Sequence, residues 1–538
     1  MLSLVAVLLG VVLVEGLAAF WPANLWEITL ADGSKLLGQR VRRQRNPDTH
    51  QWSVQFKTGN RDQDPQRQDY HWVKAGSIRQ SSRPCDAYVL ERSENGDFYG
   101  YLQAVQGADC PPAAAEAESS PASPEQLSAA LGAVRQKMAA EIAPIAAELF
   151  GLSNQLQTAR DQLTRLRYRR RQAGPETGSA GVAGGTVADP MAKKIEQLEA
   201  RLDDLRRQSD ELVRQQQQRL AQLRRNVAVM QTAAGRKASV ALVDIVRFYN
   251  PNAMGLAAKC RHYLAKVGEL LWDNPRESNT EGGLFPAIFG TVMLIFLMSA
   301  TCFPLGVLAG IYLGEYSQDG VLVRIVRIAV NNLAGIPSIV YGIFGLGFFV
   351  YGIGGRLDQW LFPERVAAGT PTFGTGGILW ASLTLGLLTV PVVIVATEEA
   401  LRAIPGSIRE GSLALGATKF QTLVRLLVPM ASPGMMTGFI LAMARAAGEV
   451  APLMITGVVK LAPQLPVDGR YPFFHLDRKF MHLGFHIYDL AFQSPNVEAA
   501  MPMVYVTTLL LLLIVLAMTG TAILLRNRMR KRYYLRTL

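Results

Sequence analysis

An arginine and a glutamate four residues apart, Arg445 and Glu449, stand out because they lie in an apolar stretch. On a helix, this spacing places both side chains on one face. Charges at membrane depth usually face the interior of a helix bundle, where they mark an ion pathway or a buried pair. A guanidinium suits an oxyanion because its planar fork matches two oxygens and keeps its proton. The alternative is an ion pair that only fixes helix packing.

A second marked segment is the polar stretch 398–429, which separates two long apolar segments. A polar helical loop between membrane spans must contact something outside the bilayer. We expect a short helix here that ends in a tight turn at a glycine, with a glutamate that caps the helix or contacts a partner. An ordinary amphipathic loop helix is the alternative. The residues of interest are Glu410, Gly411, Ser412, Gly416 and Pro429.

The chain lacks the residue patterns of a catalyst. It has no Gly-x4-Gly-Lys-Ser/Thr loop for binding ATP, no metal-ligand cluster and no nucleophile–base arrangement. We therefore predict no cofactor and a conduit rather than an enzyme. The formal net charge of +12 raises the alternative of nucleic-acid binding. We reject it because the basic residues flank apolar segments.

The elements that would position these residues are membrane helices. About 20 apolar residues cross a bilayer as a helix, and five segments in the second half qualify. A sixth candidate, Leu2–Phe20, carries Glu15, which is costly in lipid unless it faces other helices. Because this segment lacks the basic flank of a signal peptide, we expect a retained span and a natural start further upstream. The five segments are Leu284–Gly314, Ile328–Gly355, Gly376–Thr397, Met430–Val458 and Met501–Leu525.

Charge flanks predict the orientation of these six spans. The loop 398–429 and the Arg-rich tail 526–538 are separated by two spans, so both lie on one side. Short positive flanks stay in the cytoplasm, which places the region between the first two spans outside, in the periplasm of a two-membrane bacterium. Pro337 and Pro391 fall within predicted spans, and each forms a static kink or a gating hinge.

The region between the first two spans has two predicted parts. Alternating apolar residues around Asp32-Gly33 and Asn95-Gly96 predict hairpins, and hence a small antiparallel barrel or sandwich. Heptad-like series from Leu127 to Leu166 and from Ile195 to Met230 predict a helical coiled-coil hairpin. Its charged surface fits a solvated structural element or, alternatively, a partner site. An amphipathic stretch, 256–272, returns the chain to the membrane.

Four cysteines are too few for a disulfide scaffold in a chain of 538 residues. Cys85 and Cys110 both lie in the predicted periplasmic insert, where an oxidising compartment would let them pair. Two free thiols are the alternative.

The predicted organisation is an α-helical integral membrane protein with a large extracytoplasmic insert. Its parts are a first transmembrane helix (1–22), a β-rich periplasmic domain (23–110), a linker (111–125), a coiled-coil hairpin (126–236), an amphipathic return segment (237–283), a permease core with five spans (284–525) and a basic cytoplasmic tail (526–538).

The loop 398–429 resembles the coupling loop of ABC importer permeases, in which a short helix docks on the ATPase subunit. The general pattern is Glu-Ala-Ala, a glycine four positions on, and an Ile-x-Leu-Pro ending. Here Gly411-Ser412 replaces Ala-Ala, and Leu426-Leu427-Val428-Pro429 closes the loop. The spacing is intact, and small residues replace small residues.

The segment 279–525 resembles the PstA family of phosphate permeases, within the type I ABC importer permeases. The resemblance implies a second permease subunit PstC, an ATPase PstB, a periplasmic phosphate-binding protein PstS and inorganic phosphate as the cargo, with no nucleic acid. It also implies an arginine and a glutamate at positions 445 and 449. Alternatives are a permease for sulfate or molybdate, and an additional scaffold or phosphate-sensing role of the insert. The matching phrases are Asn279–Pro286, Pro304–Tyr316, Ala334–Gly342 and Ala442–Pro452.

Overall fold

The structure is a computed structural model that describes residues 2–45, 50–62, 69–107, 123–172, 190–276, 279–318, 320–469, 471, 473–494 and 496–534. The chain begins with the apolar helix α1, Leu2–Ala18. At 17 residues α1 is shorter than the length that usually spans a bilayer. It packs against the last long helix: a side chain at Gly16 would lie 3.1 Å from Leu509.

Two five-stranded antiparallel sheets follow, with the strand orders β4-β3-β2-β1-β5 and β10-β6-β7-β8-β9. Leu25 and Leu37 of the first sheet pack with Val89 and Tyr99 of the second, so the sheets share a core. The strands are β1 Leu25–Leu30, β2 Lys35–Arg45, β3 Trp52–Lys57, β4 Tyr70–Lys74, β5 Ile78–Ser82, β6 Ala87–Arg92, β7 Phe98–Gln106, β8 Val227–Gln231, β9 Lys237–Ala241 and β10 Ile245–Tyr249.

The predicted hairpins at Asp32-Gly33 and Asn95-Gly96 are present. Gly33, Asn95 and Gly96 all have positive φ, as tight hairpin turns require. The second sheet, however, contains three strands that lie after the helical arms in sequence. The β domain is therefore not confined to 23–110, and the segment 237–283 is not only a helical return. The expected heptad series to Met230 was wrong at its end, because Val227 and Met230 lie on β8, paired with β7.

The helical arms leave from and return to this second sheet. Helix α2, Pro124–Lys137, starts with a capping box between Ser123 and Gln126 and packs Leu127 and Leu131 on the sheet. A π-helical stretch leads into α3, Ala143–Gln172, and α4 covers Pro190–Leu223. The ion pairs Arg167–Glu199 and Arg219–Glu141 show that α3 and α4 run antiparallel.

One asparagine closes the β domain. The Asn252 side chain accepts a hydrogen bond from the Leu25 amide at 2.9 Å and donates to the Leu25 and Pro84 carbonyls at 2.9 and 2.7 Å. Helix α5, Leu256–Trp272, follows with the bounds that the amphipathic pattern predicted. A two-stranded ribbon, β11 Pro275–Arg276 and β12 Glu281–Gly282, then leads to the membrane helices.

In the described part of the chain, five helices are long and apolar enough to cross a membrane: Phe285–Tyr316, Ser338–Leu361, Ile378–Arg402, Lys419–Gly448 and Val497–Lys531. The α-helices that form them and the segments between them are α6 Phe285–Ile311, α7 Val321–Leu333, α8 Ser338–Phe344, α9 Gly355–Leu361, α10 Pro363–Ala367, α11 Ile378–Arg402, α12 Gly406–Ala414, α13 Lys419–Thr422, α14 Val428–Gly448, α15 Ala451–Thr456, α16 Leu483–Tyr488 and α17 Val497–Tyr534.

The membrane helix Ser338–Leu361 differs from its predicted bounds, Ile328–Gly355. It starts at Ser338 and not at Ile328, because α7 is a separate helix that ends before Gly335. Pro337 is the N-cap of α8 and lies at a helix junction, so it bends no continuous helix. Pro391 does lie inside α11, which continues through it. The core of the bundle forms where α6, α11 and α14 meet, around Leu294, Leu385, Val393 and Ala446.

Candidate functional site

The loop 398–429 folds as two short helices joined by a glycine turn. Helix α12 runs from Gly406 to Ala414, and α13 starts at Lys419. Between them Gly416 has φ +85°, a conformation that side chains with a Cβ adopt only with strain. The expected tight turn at this glycine is confirmed.

One face of this loop is open to solvent. Glu410 and Gly411 are exposed on α12. Large apolar side chains accompany them: Leu415 is 91% exposed and Phe420 is 66% exposed. Exposed apolar side chains on a polar loop are typical of an interaction surface. Ser412 faces inward, where its hydroxyl lies 2.9 Å from that of Thr422 and links α12 to α13.

The opposite side of α12 is fixed to the membrane bundle by one arginine. Arg409 makes a forked contact with Glu315, with Nη2–Oε1 at 2.6 Å and Nε–Oε1 at 3.1 Å. It also donates to the carbonyls of Leu401 and Ile404, at 2.6 and 2.7 Å. Leu401 lies in the last turn of α11, Ile404 follows that helix, and Glu315 belongs to the span Phe285–Tyr316, so a single guanidinium joins the short helix to two spans.

A second ionic contact lies beside it. Glu398, which is 9% exposed, accepts from Arg327 Nε at 2.8 Å and from Arg402 Nη2 at 2.6 Å. The sequence predicted neither this contact nor the one at Arg409. The available signal was that the ends of the apolar segments carry charges of opposite sign. Pro429, at the second position of α14, follows a π-helical stretch that buries Leu423 and Leu427.

Arg445 and Glu449 do meet, but not on one helical face within a span. Arg445 lies in the last turn of α14, which ends at Gly448, and Glu449 has an extended backbone with ψ 129°. The two side chains approach to 3.6 Å between Nε and Oε1, and they remain 34% and 21% exposed. The expected helical pair is therefore a pair across a helix end.

The helix ends at this point and the backbone changes direction. After Glu449 the backbone turns into the six-residue helix α15, whose Pro452 packs against Gly342 of α8. Tyr341, next to that glycine, is an electrostatic neighbour of Arg445 and donates from its hydroxyl to the Leu333 carbonyl at 2.6 Å. Irregular backbone at membrane depth is tolerated where protein buries it or where it lines a water-filled cavity.

Two buried histidines between the last two spans were missed by the sequence analysis. Burial lowers the pKa of both His482 and His486 to about 4, so both rings are neutral at pH 7. His482 Nδ1 accepts from the Gly484 amide at 3.1 Å and caps α16. His486 Nδ1 lies 3.3 Å from the Thr507 hydroxyl of α17.

The predicted disulfide falls partly outside the described residues. Cys85 is exposed and unbonded within the described chain. Cys110 lies outside that part, so the pairing of these two cysteines stays a prediction.

Comparison with known proteins shows which family the second half of the chain is similar to. Residues 306–531 match the family model of the binding-protein-dependent transport system inner membrane component. One relative is a Bacillus subtilis protein named "Probable ABC transporter permease protein YqgI". It is 31% identical over 225 residues, which cover 40% of this chain and 70% of YqgI. The chain belongs to this permease family.

Two relatives carry phosphate in their names. The phosphate transport system permease protein PstA 1 of Mycobacterium tuberculosis is 35% identical over 174 residues, 32% of this chain and 51% of the relative. A PstA of Methanocaldococcus jannaschii, also named as probable, is 33% identical over 223 residues, 41% of this chain and 67% of the relative. The chain thus spans about half the length of some curated relatives that it matches.

Membership in this permease family makes the protein a multi-pass inner membrane protein. The matched residues 306–531 include the α12 loop, Arg445 and Glu449. The sheets, α2, α3 and α4 precede them. The family match therefore says nothing of the insert.

Proposed function

We propose that the protein is a permease subunit of an ATP-driven importer of inorganic phosphate. The observation that carries the proposal is the identity of 33–35% to permeases named for phosphate transport. The family model matches residues 306–531, which contain the α12 loop. ATP hydrolysis belongs to a separate partner, because this chain has no phosphate-binding loop of its own. The chain itself forms part of the translocation path.

In this proposal, α12 is the contact with the ATPase. Glu410 on α12, Leu415 directly after it and Phe420 on α13 are exposed and would be covered in a complex. Movement of the ATPase would pull on α12, and Arg409 would pass that movement to α6 through Glu315 and to α11 through its carbonyls. Gly411, Ser412 and Pro429 fix the shape of the loop.

Arg445 is the proposed anion contact of the path. It belongs to the same continuous helix that follows the α12 loop, so motion of the loop reaches it directly. About one third of its side-chain surface is exposed, and its Nε lies 3.6 Å from Glu449 Oε1. This long contact leaves N–H groups of the guanidinium available to donate to phosphate oxygens.

The partners follow from the family. They are a second permease PstC, an ATPase PstB and a phosphate-binding protein PstS. Six spans, with α1 as the first, place the α12 loop and the tail in the cytoplasm and the insert in the periplasm. In that arrangement α3 and α4 form a coiled-coil hairpin with a leucine seam that includes Leu152, Leu163 and Leu202.

A second role, as a scaffold or phosphate-sensing element, is favoured by one observation on the insert. The hairpin rests on the loop between the third and fourth spans, where Arg365 contacts Asp161 at 2.7 Å and Arg165 contacts Glu364 at 3.2 Å. A structure that touches this loop is placed to report on it or to hold an envelope partner near it.

Uptake measurements test both proposals. A strain that lacks its own phosphate permease is complemented with the full chain or with a chain that lacks residues 24–275, and uptake of phosphate, sulfate and molybdate is measured. Phosphate uptake by the full chain alone among these anions supports the main proposal. Preferred uptake of sulfate or molybdate would replace the cargo. Full phosphate uptake without the insert assigns the insert a separate role.

A further inference from the structure

A cavity of about 850 Å³ lies where the insert meets the membrane helices. One wall is apolar and comes from α1 and the first turns of α17, with Leu17, Phe20 and Pro502. The opposite wall is polar and comes from β2, β3 and α5. Trp21 and Trp72 also line the cavity, and tryptophan is enriched where a membrane meets water. The cavity therefore has one face suited to lipid tails and one suited to a polar headgroup.

Two arginines on the polar wall have no acidic partner in the part of the chain that the structure describes. Arg40 and Arg42 lie on β2, line the cavity and are exposed. Among the residues that the structure describes, no carboxylate forms an ion pair with either guanidinium. Free guanidinium groups beside a cavity are typical of sites for phosphate groups.

The charges deeper in the cavity are already paired. Lys57 contacts Asp97 at 2.6 Å, and Lys266 contacts Glu91 at 2.7 Å. Burial, helped by the nearby Arg247 and Lys266, lowers the pKa of His262 to about 4, so this ring adds no charge at pH 7. A ligand would therefore meet the charges nearer the rim.

Two carboxylates near the apolar wall still need a partner. Glu498, at the start of α17, accepts a hydrogen bond from Gln55 Nε2 at 3.1 Å, and no cation in the described chain pairs with it. Glu15 lies in the apolar helix α1 and likewise has no cationic partner among the described residues. A carboxylate on a lipid-facing helix is costly unless a positive group reaches it.

The balance of charge selects the class of ligand. The buried carboxylates are neutralised by ion pairs, which include those of Glu91 and Glu269 with Arg247. Of the charges discussed above, the two arginines and the two carboxylates Glu15 and Glu498 have no ionic partner among the described residues, so a free anion such as inorganic phosphate would meet both signs of charge. A ligand with both a phosphate and an ammonium group fits the lining. The lining carboxylates are Glu15, Glu91, Asp97, Glu269, Glu281 and Glu498, and the lining cations are Arg40, Arg42, Lys57 and Lys266.

We propose that this cavity binds the headgroup of a zwitterionic phospholipid from the outer leaflet. Arg40 and Arg42 hold the phosphate, Glu498 and Glu15 face the ammonium, and the acyl chains lie along α1 and α17. The bound lipid fixes the β domain on the bilayer. This role is separate from the transport proposed above, because the site uses the insert and the outer helices and none of the residues of the α12 loop.

The test is lipid retention by the full chain. The protein is purified with its complex from membranes, depleted of bulk lipid, and reconstituted with equal amounts of phosphatidylethanolamine, phosphatidylcholine and phosphatidylglycerol. Retained lipids are counted by native mass spectrometry. The variant Arg40→Gln/Arg42→Gln removes the proposed phosphate contacts. The matched control Arg43→Gln/Arg45→Gln removes two charges from the same strand, where Arg43 stacks on Trp52 and Arg45 donates to the His50 carbonyl.

We expect one zwitterionic lipid to be retained over phosphatidylglycerol by wild type and by the control, and about tenfold weaker retention by Arg40→Gln/Arg42→Gln. Thermal unfolding of each variant shows that the fold is kept, since all four arginines are exposed. Retention that is equal in both double variants, or a preference for phosphatidylglycerol, overturns the proposal. Displacement of the lipid by millimolar inorganic phosphate would assign the site to the free anion instead, and would also overturn it.

Discussion

At the scale of single residues, Arg445 is connected to the α12 loop by one continuous span, Lys419–Gly448, which starts within that loop. Its neighbour Glu449 sits beyond the helix end. This geometry makes the roles of the two side chains separable by mutation.

Arg445→Ala should strongly reduce phosphate uptake while the complex still assembles. If Arg445 contacts the anion, adding Glu449→Ala does not restore uptake. If it only neutralises Glu449, the double variant recovers much of the activity, because removal of both charges costs less than leaving one unpaired. Uptake by the single and double variants, with assembly checked by co-purification, decides between these roles. Recovery in the double variant would move Arg445 from the path to the scaffold.

Acid should destabilise the protein through His482. Its folded pKa of about 4 lies below the usual value near 6.5, so the unfolded chain binds the extra proton between these pH values. The free energy of unfolding therefore falls as the pH drops from about 6.5 to about 4, by about 1.4 kcal/mol per pH unit for this group. In His482→Asn, whose amide oxygen can still cap α16, thermal unfolding should depend less on pH over that range. Identical pH profiles would show that His482 does not titrate this way.

The resemblance to ABC permease coupling loops predicted Gly416 as a turn, and spacing predicted Arg445 with Glu449 as a pair. The turn was confirmed because glycine is the residue that a positive φ favours. The helix end at Gly448 was not predicted, because no proline interrupts Ala442–Gly448 and the break depends on packing of α15 against α8. Arg409 and Glu315 are 94 residues apart, so only the fold could pair them.

At the scale of elements, α12 is held by contacts on one side and left open on the other. The Arg409–Glu315 contact holds the side that faces the bundle. Such an arrangement lets a short helix transmit force without being part of the bundle.

Exchange of the two charges tests this connection. Arg409→Glu should uncouple uptake from ATP hydrolysis, since it places two carboxylates together and loses the carbonyl contacts, at a cost of about 2–3 kcal/mol. The exchange variant Arg409→Glu/Glu315→Arg should recover part of the uptake. Uptake per ATP hydrolysed is the measurement. Normal coupling in Arg409→Glu alone would mean that the contact carries no force.

The glycine turn allows a second test of the same element. Gly416→Asp should abolish uptake while the protein stays in the membrane, because a Cβ at φ +85° is strained by about 1–2 kcal/mol and the added charge faces the proposed ATPase contact. Gly235→Ala is the matched control, with φ +81° in the insert, and should retain uptake. Equal uptake by wild type and Gly416→Asp would contradict the role of α12.

The elements themselves were only partly predictable. Apolar length gave the five long membrane helices, because a continuous apolar run has few other solutions. The predicted end of the second helical arm was wrong, since Val227 and Met230 have the three-residue spacing of a heptad but lie on β8, which pairs with β7 and buries Ala228 and Met230. The separate helix α7 was hidden because its apolar residues merge with those of the next span.

At the scale of the whole molecule, the insert and the bundle contact each other at several places, among them the hairpin on α10 and the β domain on α17. Because α10 precedes α11 and α12 follows it, the proposed six-span topology puts the insert and α12 on opposite sides of the membrane. The topology can therefore be tested with residues far from either contact.

Single cysteines at three exposed positions report the sides. In a background without other reactive cysteines, a membrane-impermeant thiol reagent applied from outside should label Gln217→Cys on α4. It should not label Gly406→Cys on α12 or Arg530→Cys near the end of α17. All three are exposed, so burial does not explain a lack of labelling. Labelling of Arg530→Cys from outside would refute the six-span arrangement.

The contacts of Asn252 with Leu25 and Pro84 also have a consequence for folding during synthesis. Leu25 and Asn252 are 227 residues apart, and β7 waits for β8 until both helical arms have been made. At ordinary elongation rates of about 5–20 residues per second, roughly 10–45 s pass between the first strand and Asn252. During that time the early strands present unpaired edges. The length of the helical hairpin thus sets the delay before the β domain can close. Slow codons within the hairpin would lengthen the interval in which a nascent chain can aggregate.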